Sequence, residues 1–190
     1  AGMKRRISDA LHALRTLPDI VCLQEIETRS IRSGVAHRGG NGDNQLNAFL
    51  RHLDAAFTRE GETLPYDPYY FPAHTYRVGA VRLYTTGLAV LVHRDSLEVL
   101  DGNQKAPHSI THYGSEWLKP AKQTRICAHM HVRDRAGKRF HVFNTHLSLP
   151  SVFAREFWRE ERRMGHGRNQ ISEAEALARY VDERAQGEPF

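Results

Sequence analysis

The chain has 190 residues, 40% of them apolar and 26% charged, enough for a single domain over residues 1–190 and too few to expect two. No apolar run approaches the length of a membrane span, so no transmembrane segment is expected, and nothing like a signal region follows Ala1-Gly2-Met3-Lys4-Arg5-Arg6. A net charge of +5 and a pI near 9.4 suit a phosphate-bearing partner, although a solvated basic surface accounts for so small an excess at least as well.

Met3 to Leu17 predicts a helix with Ile7, Ala10, Leu11 and Leu14 on one stripe, ended by Pro18. Asp19-Ile20-Val21-Cys22-Leu23-Gln24-Glu25 is a short continuous apolar run, the pattern of a strand buried on both faces, and it finishes on a carboxylate. From Thr28 to Asn44 the composition turns to Gly, Ser, Arg and Asn, a long loop of the kind that carries function or moves. Gln45 to Phe57 returns to helical spacing through Leu46, Phe49, Leu50 and Leu53. Tyr66 to Pro72, aromatic and bounded by proline, reads as a short strand or edge segment. Gly87 to His93 is a second fully buried strand, and Leu97 to Leu100 is expected to pair with it.

Gly102 to Pro120 is loop-like and holds His108, His112, Tyr113 and Trp117. Gln123 to Arg133 alternates, with Thr124, Ile126, Ala128, Met130 and Val132 facing one way and Arg125, Cys127, His129, His131 and Arg133 the other. Asp134-Arg135-Ala136-Gly137 makes a hairpin turn into the strand His141 to Leu147, so these two strands are antiparallel. Val152 to Met164 predicts a helix broken at Gly165-His166-Gly167, and Ser172 to Gln186 a last helix with Ile171, Ala174, Leu177, Ala178 and Val181 apolar and Gly187 as terminator. Cys22 and Cys127, each inside an apolar run, predict buried thiols and a reducing, cytoplasmic setting over a disulfide framework.

Three places carry chemistry. Asn144 and His146, two apart on a strand, leave the sheet on the same side near its end, where carboxamide and imidazole suit a phosphate oxygen or a carbonyl; taken alone, a hydrogen-bonded Asn and a solvated His explain them more simply. Glu25 at a strand end is placed as a ligand for a hard cation such as Mg²⁺, or it is an exposed carboxylate; Gln24 falls on the opposite pleat face. Cys127, His129 and His131 on one strand face raise a zinc reading beside one of hydrogen-bonded histidines. The loop from His108 to Trp117 and the segment Trp158 to Arg168 mix aromatic and basic residues, as base-stacking and phosphate-pairing surfaces or loop anchors do.

Asp19 to Glu25, then Gly87-Leu88-Ala89-Val90-Leu91, then Phe143-Asn144-Thr145-His146-Leu147, in this order and approximate spacing, resemble the endonuclease/exonuclease/phosphatase superfamily of metal-dependent phosphoesterases, over about Asp19 to Phe190. The resemblance implies an α/β (α+β) fold, a four-layered α/β sandwich of two mixed β-sheets flanked by helices, with the site at one edge. It implies Glu25 as the carboxylate for Mg²⁺ or Mn²⁺, His146 as a hydrogen-bond donor to the scissile phosphate and Asn144 as support for that loop. Family members also carry a strand with a metal-site Asn before the first helix, and later Gly-Asp-x-Asn and Ser-Asp-His segments; none occurs in these residues. The chain is therefore expected to be truncated, part of a longer protein whose missing portion is a further partner.

The expected function is divalent-metal-dependent hydrolysis of a phosphoester, by a phosphodiesterase, nuclease or phosphatase, with metal-assisted attack of water on phosphorus. The charge leans slightly toward nucleic acid as substrate. Loss of an acid/base group typically costs about 10²- to 10⁴-fold, which leaves the activity of this chain by itself open. The rivals are a non-catalytic module that binds phosphate or nucleic acid, and a zinc protein built on Cys127, His129 and His131.

Overall fold

The computed structural model describes residues 2–30, 45–78, 81–111, 124–148 and 168–190. The expected helix from Val152 to Met164 with its Gly165-His166-Gly167 break, the aromatic positions His112, Tyr113 and Trp117, and most of the Thr28 to Asn44 loop lie outside the described residues. In chain order the elements are α1 (Gly2–His12), β1 (Ile20–Ser30), α2 (Gln45–Arg59), β2 (Tyr66–Val78), β3 (Val81–His93), β4 (Leu97–Gly102), β5 (His108–Ser109), β6 (Ile126–Asp134), β7 (Arg139–Thr145) and α3 (Arg168–Ala185).

Two sheets form. The first has the order β1-β3-β2, and in the second β6 pairs β4 and β5 on one edge and β7 on the other. Every described pairing is antiparallel, where mixed sheets were expected. The short connections from Val78 to Val81 and from Asp134 to Arg139 suit this, because parallel neighbours need a long crossover. The strand from Leu97, expected beside Gly87 to His93, instead pairs β6: Ser96 closes a turn on the His93 carbonyl and the chain passes to the other sheet.

Alternation along the strands builds the layers. Leu88, Val90 and Val92 of β3 meet Ile126, Ala128, Met130 and Val132 of β6 in the core between the sheets. Leu91, on the other face of β3, packs with Leu11, Phe49, Leu53 and Phe57 from α1 and α2. Beyond the second sheet, Cys127 and Ile110 pack on Tyr180 and Leu177 of α3. The result is four layers, helices, sheet, sheet, helix, with apolar burial at each junction. No helix among the described residues is long and apolar enough to cross a membrane.

Several burial expectations change. Among the described residues β1 lies at the edge of its sheet; Val21 and Leu23 pack on the helices while Cys22 is exposed, and of the two thiols Cys127 is the buried one. α1 stops at His12 and buries Ser8 and Leu11, leaving Ile7 and Leu14 about half exposed. On α3, Ile171 is exposed and the sheet-facing positions are Gln170, Glu173, Leu177 and Tyr180, a stripe half of whose members are polar and so invisible to an apolar pattern.

Candidate active site where the two sheets open

The site begins with an irregularity in β1. Its pairing with β3 is regular from Ile20↔Val92 to Leu23↔Ala89 and resumes at Ile26↔Gly87, so Gln24 and Glu25 stand opposite Leu88 alone. This bulge re-aims side chains, and Glu25 takes φ 54, a left-handed conformation that costs a non-glycine residue about 1 kcal/mol. A straight strand would send Gln24 and Glu25 to opposite faces, yet the bulge delivers both to the end of β7. Gln24 Nε2 donates to the Thr145 carbonyl at 2.5 Å, and Glu25 Oε1 lies 3.6 Å from His146 Nδ1. The Glu25 side chain is 71% exposed, free to take a ligand.

Asn144 and His146 do leave β7 on the same side, toward the first sheet. Asn144 is buried, and its Nδ2 donates to the carbonyls of Leu23 and Ala89, each at 3.2 Å. Those two residues face each other across β1 and β3, so one carboxamide ties three strands from two sheets just before the bulge. His146 is half-buried at the rim.

Glu25, His146, Arg125, Thr124, Thr86 and Gly87 line a cleft of about 20 Å³, room for roughly one water or ion. Gly87 is needed here, since a Cβ on it would collide with the Phe71 carbonyl and the Tyr70 hydroxyl. Arg125 is held by its Nε donating to Ser148 Oγ at 3.2 Å. Ser148 is in turn clamped by the fully buried Glu173 of α3, its N–H donating to Oε2 at 2.7 Å and its hydroxyl to Oε1 at 2.6 Å. The sequence does not mark Arg125, Ser148 or Glu173 as site residues: Arg125 is one of several arginines, and a helical Glu ordinarily marks solvent.

Glu25 offers one exposed carboxylate at the mouth of the cleft, an oxygen ligand of the kind a hard divalent cation takes, and Arg125 and His146 line the same cleft.

The zinc reading on Cys127, His129 and His131 is corrected. All three face α3, but the Cys127 sulfur sits in the apolar cluster with Ile110 and Tyr180, where burial pushes its thiol up to about 12, and it joins no group of ligating atoms with the histidines among the described residues. His129 Nε2 lies instead 2.8 Å from His141 Nδ1. Among the described residues the ligating atoms of His131, His141 and Glu188 come within 4.8 Å of one another. His108, expected in a loop, lies in the short strand β5 and stacks on Tyr180, ring centroids 3.9 Å apart.

No family model matches the chain, and no curated protein matches it in sequence. Among solved structures, the catalytic domain of human nocturnin with bound sulfate superposes with a TM-score of 0.53 at 16% identity, over 97% of this chain and 52% of that one. An endonuclease/exonuclease/phosphatase from Beutenbergia cavernae gives a TM-score of 0.56 at 15% identity, over 97% and 39%. The chain thus spans about half the length of the nocturnin domain it matches. Its two packed sheets with helices outside are the fold of the endonuclease/exonuclease/phosphatase proteins.

Proposed function

We propose that this chain carries part or all of a divalent-metal-dependent phosphoester hydrolase, with Glu25 as the metal carboxylate and His146 as a donor to the phosphoryl oxygen. One observation supports it most: a strained bulge in β1 and the end of β7, on different sheets, bring a carboxylate and an imidazole to 3.6 Å beside Arg125. Strain held at such a place is characteristic of functional sites.

Mg²⁺ or Mn²⁺, when bound at Glu25, would neutralise charge building on the phosphoryl oxygens. His146 orients and donates to one oxygen, and Arg125, fixed through Ser148, pairs with another. Asn144 holds no substrate; it is a positioning residue that fixes β1 and β7 so that Glu25 and His146 meet. No second carboxylate lines this cleft among the described residues, so a water-activating group would come from elsewhere in the protein. The basic excess favours a phosphodiester of nucleic acid type as substrate. Two unpaired thiols support a reducing, cytoplasmic setting.

The test is release of nitrophenol from a generic nitrophenyl phosphodiester with and without Mg²⁺, for the longest natural form of the protein. Release that needs Mg²⁺ and falls at least about 100-fold in both Glu25→Gln and His146→Ala supports the reading. Binding of the diester with no metal-dependent release would instead favour a non-catalytic phosphate-binding module.

A further inference from the structure

A second group of metal-type side chains stands on the opposite face of the second sheet from Asn144 and His146. Asp101, His131 and His141 are cross-strand partners in one row over β4, β6 and β7, directed toward α3. The fourth member arrives from the chain end. α3 stops at Ala185, Gln186 and Gly187 take φ 47 and φ 88, and the reversed chain lays Pro189 on β7, its carbonyl accepting from the His141 N–H at 2.8 Å. That places Glu188 over the histidine row.

We propose that His131, His141 and Glu188 form a site for a divalent transition metal of the zinc class, distinct from the hard-cation position at Glu25. Glu188 Oε2 lies 2.8 Å from His131 Nε2 and 3.2 Å from His141 Nε2. Tetrahedral zinc separates its donor atoms by about 3.3 Å, so these contacts match the edges of such a polyhedron. His131 Nε2 is itself buried, and its 2.8 Å approach to Glu188 Oε2 lacks hydrogen-bond geometry. A neutral imidazole lone pair facing a carboxylate oxygen this closely is repelled by it unless a proton or a cation lies between them.

His141 has the outer partner that ligating histidines carry, since its Nδ1 lies 2.8 Å from His129 Nε2. His141 Nε2 is within hydrogen-bond distance of Glu188 Oε2; in the tautomer that donates from Nδ1 to His129, that Nε2 lone pair would be open to a metal ion. A cleft of about 320 Å³, lined also by Asp101, Arg184 and Gln186, gives entry and room for water at the fourth position. Two nitrogens and one oxygen select zinc over Mg²⁺, which prefers oxygen alone.

The experiment is titration of the chelator-stripped chain with Zn²⁺ by calorimetry, and with Co²⁺ by visible absorption. One ion per chain is expected, with an intense tetrahedral Co²⁺ band that Zn²⁺ abolishes and millimolar Mg²⁺ does not. Glu188→Gln and His131→Gln, both at partly exposed positions, should each weaken binding at least about tenfold, with unchanged circular dichroism, while Glu25→Gln leaves it intact. Absence of saturable binding would overturn the site, as would a His131→Gln/Glu188→Gln double variant that binds within about twofold of the parent.

Discussion

The side-chain amide of Asn144 donates to the carbonyl of Ala89, 3.2 Å away on the other sheet, and the same nitrogen also serves Leu23. Removing it takes two hydrogen bonds and leaves a gap at the sheet junction. Asn144→Ala should lower stability by about 2–3 kcal/mol in chemical denaturation. Asn144→Asp should cost more, because a carboxylate would point at two carbonyl oxygens. A change below about 0.5 kcal/mol in either variant would remove the clamp from the account.

Glu25 sits at φ 54 in the bulge, where glycine is at ease. Glu25→Gly should therefore be more stable than the parent by about 0.5–1 kcal/mol while losing whatever metal-dependent activity the protein has. Glu25→Ala keeps the strain and should gain nothing, so the difference between the two variants measures it.

Ser148 gives both its N–H and its hydroxyl to the buried Glu173 carboxylate while accepting from Arg125. Ser148→Ala should cost about 1.5–3 kcal/mol, the range for a hydrogen bond to a buried charged group. It should also free Arg125, raising KM for a phosphoester more than it lowers kcat, whereas a purely structural role would lower the melting temperature alone.

His129 is almost fully buried, and burial first, then the charge of Arg184 and its neighbour His141, bring its pKa down to about 4; Asp101 opposes this weakly and His131 adds to it. His141 is lowered as well, chiefly by burial and His131, with Glu188 acting the other way. The unfolded chain takes up a proton near pH 6.5 and the folded one only near 4. Stability is then complete above pH 6.5 and declines as pH falls toward 4, by up to about 3 kcal/mol from His129. Denaturation at several pH values, in chelator, should show this slope, and His129→Gln should flatten it.

Much of the fold was legible because its strands obey simple periodicities. The alternation from Ile126 to Val132 and the apolar block from Leu88 to Val92 read directly as strands, and both are strands, although both faces of β6 are buried from Ile126 to Met130. Sheet membership was not legible: Leu97 to Leu100 has the same pattern whichever neighbour it pairs, and the choice is made by the turn at Ser96. At the site, Glu25, Asn144 and His146 stood out as polar residues ending apolar runs. Arg125 and Glu173 did not, because what distinguishes them is burial and partners many residues away. The same holds for Glu188, which joins the histidines only through the reversal after α3.

The turn from Asp134 to Gly137 is closed by the Gly137 N–H on the Asp134 carbonyl, with Gly137 at φ 84, and by the Lys138 N–H on Asp134 Oδ1. It sets the phase of β7 against β6. A single inserted residue there would rotate every β7 side chain through the sheet, turning Asn144 and His146 toward α3 and His141 toward the first sheet. The two proposed sites thus share one length constraint, and a one-residue insertion in a solvent-facing hairpin would erase both without altering a single residue of either.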